Sequence, residues 1–293
     1  MSIFVTGATS QIGHFLLPRL REKGFSVVAL SRRMQETDNV GVRWLAGELP
    51  HSPPLSDLPL PLQAIVSFGP LQGLAEWLSR ASAAPAPRLI ATSSMSVLSK
   101  RASTVQSERR LVQQLADGEA EVIVQCERLR MAWTLLRPTL IYGAGLDKSL
   151  TPIAQRAVRW RVFPLPAGDG MRQPVHADDL ATAVLRCLEN EDSYGKTLSI
   201  GGGERLPAAE MFSRVRGCLP VWTLPVTLGM PVLRLLSALL PFARGPVSRL
   251  RSDLIADNTE IGRILGIRPR EFRPDASMFG LSGGVQHVES HEE

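Results

Sequence analysis

The chemistry in this chain is carried by few residues. TGATSQIG, residues 6–13, sets Gly7 and Gly13 among small polar side chains, directly after the β-rich run SIFVT. Gly7 permits a tight turn at positive φ, Gly13 permits close approach of a helix to a sheet, and amides exposed at a helix start face a pyrophosphate. The next β-rich run ends ALSRR. Ser31, Arg32 and Arg33 therefore stand where a carboxylate would bind ribose hydroxyls, and arginine there suits a 2′-phosphate, so NADP is favoured over NAD. For proton transfer the candidates are Ser93 and Ser94 closing RLIATSS, Lys100 six residues beyond, and His176 in PVHADD. An imidazole titrates near 6.5 when unperturbed, which suits proton transfer, although a histidine here also serves packing and hydrogen bonding. Asp178 and Asp179 are adjacent at a helix start and diverge, and an N-cap role explains Asp178. Arg172 can make bidentate contacts to a diphosphate or carboxylate, with a surface ion pair as the equal alternative.

These residues need elements to hold them. Short β-rich runs at 2–6, 25–31, 42–45, 64–68, 88–93 and 133–141 alternate with helical patterns at 12–23, 71–81 and about 107–130. That alternation predicts βαβ units and a parallel sheet, an α/β doubly wound Rossmann fold. A further strand is expected at 198–200, before Gly201-Gly202-Gly203. The proline-dense stretch HSPPLSDLPLP, residues 51–61, reads as an irregular loop. From about Gly203 the β alternation stops and helices separated by prolines are expected, a small and mostly helical C-terminal lobe. The expected division is a dinucleotide-binding core over 1–145, substrate-lobe segments over 146–280 with a returning core strand near 196–201, and a frayed tail over 281–293.

Composition is that of an ordinary globular chain, with 44% apolar and 21% charged residues. Cys126, Cys187 and Cys218 form no CxxC pair, so no metal is expected, and they read as buried apolar residues of a reducing cytosol. The N-terminus lacks a secretory signal pattern, and the expected location is cytoplasmic. The net charge of +5 comes with scattered arginines and no nucleic-acid recognition motif. A small-molecule substrate is the expected partner, no nucleic acid is, and oligomeric state cannot be read from the sequence.

TGATSQIG, ATSSMSV after a strand, LLRPTLIYGAG after another and QPVHADDLA come in one order over most of residues 1–205. Together they resemble the extended or atypical short-chain dehydrogenases/reductases of the NAD-dependent epimerase/dehydratase type. The resemblance implies Gly7, Thr9, Ser10, Gln11, Ile12 and Gly13 around a pyrophosphate, Arg32 and Arg33 at the adenosine ribose, and Glu48 and Leu49 beside the adenine. It also implies Phe68 and Gly69 beneath the cofactor and Pro138 and Thr139 at the nicotinamide. Ser10 replaces the family's middle glycine, which is tolerable if its φ stays negative.

The family's chemistry rests on a Tyr-xxx-Lys pair, in which the lysine lowers the tyrosine pKa and i and i+4 share one helix face. Here the tyrosines are Tyr142 and Tyr194, followed four residues later by Leu146 and Leu198. The pair is absent. Anchoring the long helix on GEAEV puts Gln113 and Asp117 at its positions. Ser93 and Ser94 survive at the expected strand end, but a hydroxyl without a base is a poor proton donor. The resemblance implies an oxidoreductase or epimerase acting on a nucleotide sugar or another small carbonyl compound; the alternative is a catalytically silent NAD(P)-binding sensor, assembly factor or scaffold. Residues 217–233 carry no charge, and LLSALLPFA continues the run after Arg234. Pro220, Pro225 and Pro231 argue for a packed helical lobe over a membrane span, with peripheral attachment to an anionic membrane, helped by Arg244, Arg249 and Arg251, as the other reading.

Overall fold

A computed structural model describes residues 2–35, 41–168, 170–229 and 252–281. Its centre is a parallel seven-stranded sheet built from β1 (Ser2–Thr6), β2 (Ser26–Ser31), β3 (Val42–Ala46), β4 (Leu62–Ser67), β5 (Arg88–Thr92), β6 (Ala132–Pro138) and β11 (Lys196–Ile200), in the order β11-β6-β5-β4-β1-β2-β3. The order reverses between β1 and β4, which opens a crevice at the carboxyl ends of these strands. Strand residues alternate between the two faces because the side-chain period is two. Ile3 and Val5 of β1 and Val66 of β4 join the core under α1 (Gln11–Glu22) and α6 (Ala177–Glu189). Phe4 and Ile65 point the other way, to the core shared with α2 (Leu71–Ser79) and α4 (Gln106–Arg128). A fully apolar strand read from the sequence is thus a strand covered on both faces.

A short α3 (Ser96–Ser99) follows β5. The apolar run expected as one strand over 133–141 is two: β6 ends at Pro138, and β7 (Ile141–Tyr142) leaves to pair with β10 (Val175–His176). Proline carries no amide to continue the ladder. The loop 51–61 is irregular apart from one 3-10 turn at Leu55–Asp57.

A smaller lobe follows, with α5 (Leu150–Trp160), β8 (Val162–Pro166), β9 (Met171–Arg172), β12 (Leu206–Pro207), α7 (Ala208–Gly217) and β13 (Leu224–Leu228), and α8 (Thr259–Leu265) then returns to the main core through Ile261, Ile264 and Leu265. The lobe's core gathers Tyr142, Phe163, Met211, Phe272 and Phe279. The segment read as helical packing contains β13, paired in parallel with β8 as a two-stranded sheet. Pro164, Pro166 and Pro225 sit in these strands, as a narrow sheet with two edges allows. LLSALLPFA, Arg244, Arg249, Arg251 and residues 282–293 lie outside the described residues. No helix among the described residues is long and apolar enough to cross a membrane.

Candidate functional site

The crevice forms a cleft of about 640 Å³. Thr6, Gly7, Thr9, Ser10 and Gln11 line it from the β1–α1 turn, and Leu30, Ser31 and Arg32 from the end of β2. Gly47, Glu48 and Leu49 enter after β3, Phe68, Gly69 and Pro70 after β4, and Leu146, Asp147 and Lys148 after β7.

The turn depends on its glycines. Gly7 has φ +65°, and a Cβ there would lie 3.0 Å from the Phe68 carbonyl carbon. A Cβ on Gly13 would lie 2.0 Å from the Ala8 carbonyl oxygen, so α1 can start this close to the loop only with glycine. Ser10 stays at φ −71°, and its Oγ accepts from the Gly13 amide at 3.3 Å as the N-cap of α1. Serine at the middle position thus works as a cap. Gln11 donates from Nε2 to the Ile141 carbonyl at 3.3 Å, while its Oε1 is buried without a partner. An orphaned acceptor beside exposed helix-start amides is what a polar ligand would complete.

Ile12 is in the core and Gly13 meets Ala8, so their side of the turn packs rather than lines. Arg32 borders the cleft; Arg33 is exposed and outside its lining, with its amide bound to Ser31 Oγ at 3.3 Å. Pro138 and Thr139 are buried at the end of β6, and Thr139 donates its hydroxyl to the Gln173 carbonyl.

The candidates for proton transfer stand on separate elements: Ser93 and Ser94 follow β5, Lys100 follows α3 and His176 precedes α6. Ser93 Oγ is buried without a partner, its amide bound to the Leu136 carbonyl at 2.8 Å beside the end of β6. Ser94 Oγ accepts from the Ser96 amide at 3.1 Å. Lys100 lies 3.7 Å from Glu108 Oε1, and Ser103 donates to Glu108 Oε2 at 2.7 Å. His176, not Asp178, is the N-cap of α6: its Nδ1 accepts from the Asp178 amide at 3.1 Å, which puts the imidazole proton on Nε2. Burial, and then the Arg270 guanidinium, pushes its pKa below the ordinary value. Asp178 instead bridges Arg19 at 2.5 Å and Arg270 at 2.7 Å. Arg172 is 6% exposed, and its Nη1 donates to the Met171 and Ser252 carbonyls at 2.8 and 2.7 Å. Tyr142 is fully buried against His176 and Phe272, its hydroxyl is unpartnered, and burial raises its pKa.

On the long helix the two positions reached from GEAEV face outward. Gln113 and Asp117 are exposed and hydrogen-bonded to each other at 2.7 Å. The inward stripe of α4 runs through Glu108, Glu119, Val122 and Cys126, and Glu119 pairs with Arg137. Leu115, about one turn before Glu119, is half-buried, whereas Leu111 is exposed.

Sequence reasoning missed Leu146, Asp147 and Lys148. Asp147 is buried and accepts from the amides of Ser149, Leu150 and Thr151, which fixes the start of α5 and with it the position of exposed Lys148. The signal was present: an Asp followed by Ser and Thr just before the helical pattern LTPIAQRAV. No cluster of three metal-ligating side chains occurs among the described residues.

The whole fold is shared with solved structures. UDP-glucuronic acid 4-epimerase from Bacillus cereus, in complex with NAD, superposes with a TM-score of 0.74 at 16% identity over 96% of this chain and 98% of that one. MoeE5 with UDP-glucose and NAD gives a TM-score of 0.75 at 18% identity, over 96% and 98%. In sequence the chain is 28% identical over 270 residues to a 3-diazoavenalumate denitrifying reductase of Streptomyces sp, covering 80% of this chain and 87% of that protein. It is 25% identical over 138 residues to NADH dehydrogenase [ubiquinone] 1 alpha subcomplex subunit 9 of Arabidopsis thaliana, covering 46% of this chain and a third of that protein. Residues 72–201, from α2 to the last sheet strand, match the profile of the NAD dependent epimerase/dehydratase family.

Proposed function

We propose that the protein is an NAD(P)-dependent oxidoreductase that works without the Tyr-xxx-Lys pair, prefers NADP, and acts on a nucleotide sugar or another small carbonyl compound. The cleft at the sheet's switch point carries this reading: a glycine turn, a capped helix start and an unpartnered Gln11 oxygen face one space, with Arg32 at its edge. Gly7 lets the backbone approach a pyrophosphate, Ser10 holds the α1 amides towards it, and Arg32 meets a 2′-phosphate. When bound, the nicotinamide supplies or accepts a hydride. Ser93, half-buried just past the end of β5 with its Oγ unpartnered, is the hydroxyl best free to orient a substrate oxygen. The nucleotide-sugar arm draws on the UDP-sugar complexes of the structural neighbours, and the reductase arm on the Streptomyces relative, which spans most of the chain.

A second reading, a silent dinucleotide-binding protein, is favoured by the lack of any tyrosine followed four residues later by lysine and by similarity to a subunit of a larger assembly. Two measurements separate them. NADPH titration by fluorescence should show binding, and a panel of carbonyl compounds and UDP-sugars should then drive its oxidation. Binding without any turnover, and without cycling of bound NAD, leaves the silent reading. Activity retained in Ser93→Ala/Ser94→Ala would remove the serines and point to Lys100 or His176.

A further inference from the structure

The β8–β13 edge of the smaller lobe is apolar where a water-facing edge should be polar. Trp160 is 64% and Trp222 71% exposed, although large aromatic side chains ordinarily bury most of their surface. The strands fix their relation. Val162 is the register partner of Leu224, and each tryptophan stands two residues before one of that pair. Val162, Leu224 and Val226 are exposed as well, whereas Phe163 between them turns into the core. A contiguous patch of this kind marks an interaction surface.

Charge says what it meets. Residues 148–168 and 211–252, the two stretches that supply β8 and β13, hold ten of the chain's 33 Lys and Arg and none of its 28 Asp and Glu. These stretches are therefore +10 and the rest of the chain −5, with Arg234, Arg244, Arg249 and Arg251 lying outside the described residues. Arg156, Arg159 and Arg161, immediately around Trp160, are exposed. The guanidiniums of Arg214 and Arg216 are instead used within the lobe, on Glu204, Glu210 and the Thr223 carbonyl. Tryptophan beside arginine, with aliphatic strand residues between and no carboxylate in sequence nearby, matches the headgroup boundary of an anionic bilayer: indole sits at the interface and guanidinium meets lipid phosphate. A protein partner would not require that acidic residues be excluded from both stretches.

We infer that the β8–β13 edge, through Trp160, Trp222, Leu224 and the arginines at 156, 159 and 161, docks the protein on an anionic lipid surface. The attachment is peripheral and independent of the dinucleotide cleft. The test uses the full chain with vesicles of phosphatidylcholine alone or doped with phosphatidylglycerol. Co-sedimentation should favour the anionic vesicles roughly tenfold or more at about 0.1 M salt and fall away near 1 M, where the screening length shrinks to about 3 Å. Binding should shift tryptophan emission to shorter wavelength. Trp160→Ala/Trp222→Ala should lose that binding while keeping the wild-type unfolding temperature, and Arg156→Gln/Arg159→Gln/Arg161→Gln should lose the preference for anionic lipid. Equal binding to both vesicle types, no binding to either, or wild-type binding by the double tryptophan variant would overturn the inference. A dimer in light scattering that the tryptophan variant converts to monomer, without vesicle binding, would also overturn it and assign the face to a second copy of the chain.

Discussion

Arg32→Ala is the perturbation that most directly questions the cofactor reading. Both arginines of ALSRR qualify by sequence, but Arg32 borders the cleft and Arg33 lies outside its lining. A hydrogen bond to a charged group contributes about 1.5–3 kcal/mol, and exposure to solvent and salt places Arg32 at the low end. A loss near 1.4 kcal/mol is about tenfold in Kd. NADPH should therefore bind Arg32→Ala about tenfold more weakly, with NADH unchanged, because only NADPH carries the 2′-phosphate. Arg33→Ala should shift either Kd by less than about twofold, consistent with a surface substitution. Fluorescence titration of both cofactors at low and high salt is the assay, and the NADPH-specific loss should shrink as salt rises. Equal loss of NADH and NADPH, or an effect that follows Arg33 rather than Arg32, would refute the placement of the 2′-phosphate.

Lys148→Ala should weaken NADH and NADPH alike, since Lys148 lines the same cleft as the glycine turn and the pyrophosphate is common to both; a loss confined to NADPH in the same titration contradicts that. Gly13→Ala should abolish cofactor binding and lower stability by about 2 kcal/mol or more, because its Cβ meets backbone at 2.0 Å and nothing flexible can give way; urea unfolding reads this. Arg137→Met should cost about 3–5 kcal/mol by leaving Glu119 buried and unpaired, and adding Glu119→Gln should recover much of it in the same unfolding assay. His176 has a folded pKa below its ordinary value, so its stabilising contribution is complete above about pH 6.5 and is lost as pH falls below that. The urea midpoint should drop on the acid side in wild type and drop less in His176→Asn, which keeps a capping oxygen.

The parallel sheet and its covering helices were legible because buried strands read as short apolar runs punctuated by glycine and proline. SIFVT, FSVVALS, AIVSF and RLIATS each became a strand of the central sheet. The glycine turn was legible because Gly7 and Gly13 are required by φ and by close approach, which are local demands. The proton-transfer candidates were less so, since their partners depend on how the side chains are turned in the fold. Lys100 is taken up by Glu108, and His176 is used by the amide of Asp178. Within GEAEV only burial separates Glu119, which pairs with Arg137, from exposed Glu121, and burial is not written in the sequence. The strands β8 and β13 were hidden by their prolines, whose ban on central strands does not reach a two-stranded edge.

The late segment of the chain closes the early one. Asn258 bonds the amide and carbonyl of Gly201 and the carbonyl of Gly202 just past the sheet's last strand. Arg270 neutralises Asp178 and Asp179, and Asp178 in turn holds Arg19 of α1, the helix that presents the glycine turn. A nascent chain emerging from the ribosome can form β1 to β5 and their helices early, but it lacks these fasteners until residue 270 is free of the exit tunnel. Loss of a short stretch near the carboxyl end would thus loosen a loop made in the first moments of synthesis, and premature termination there should behave as a defect of the phosphate turn as much as of the smaller lobe.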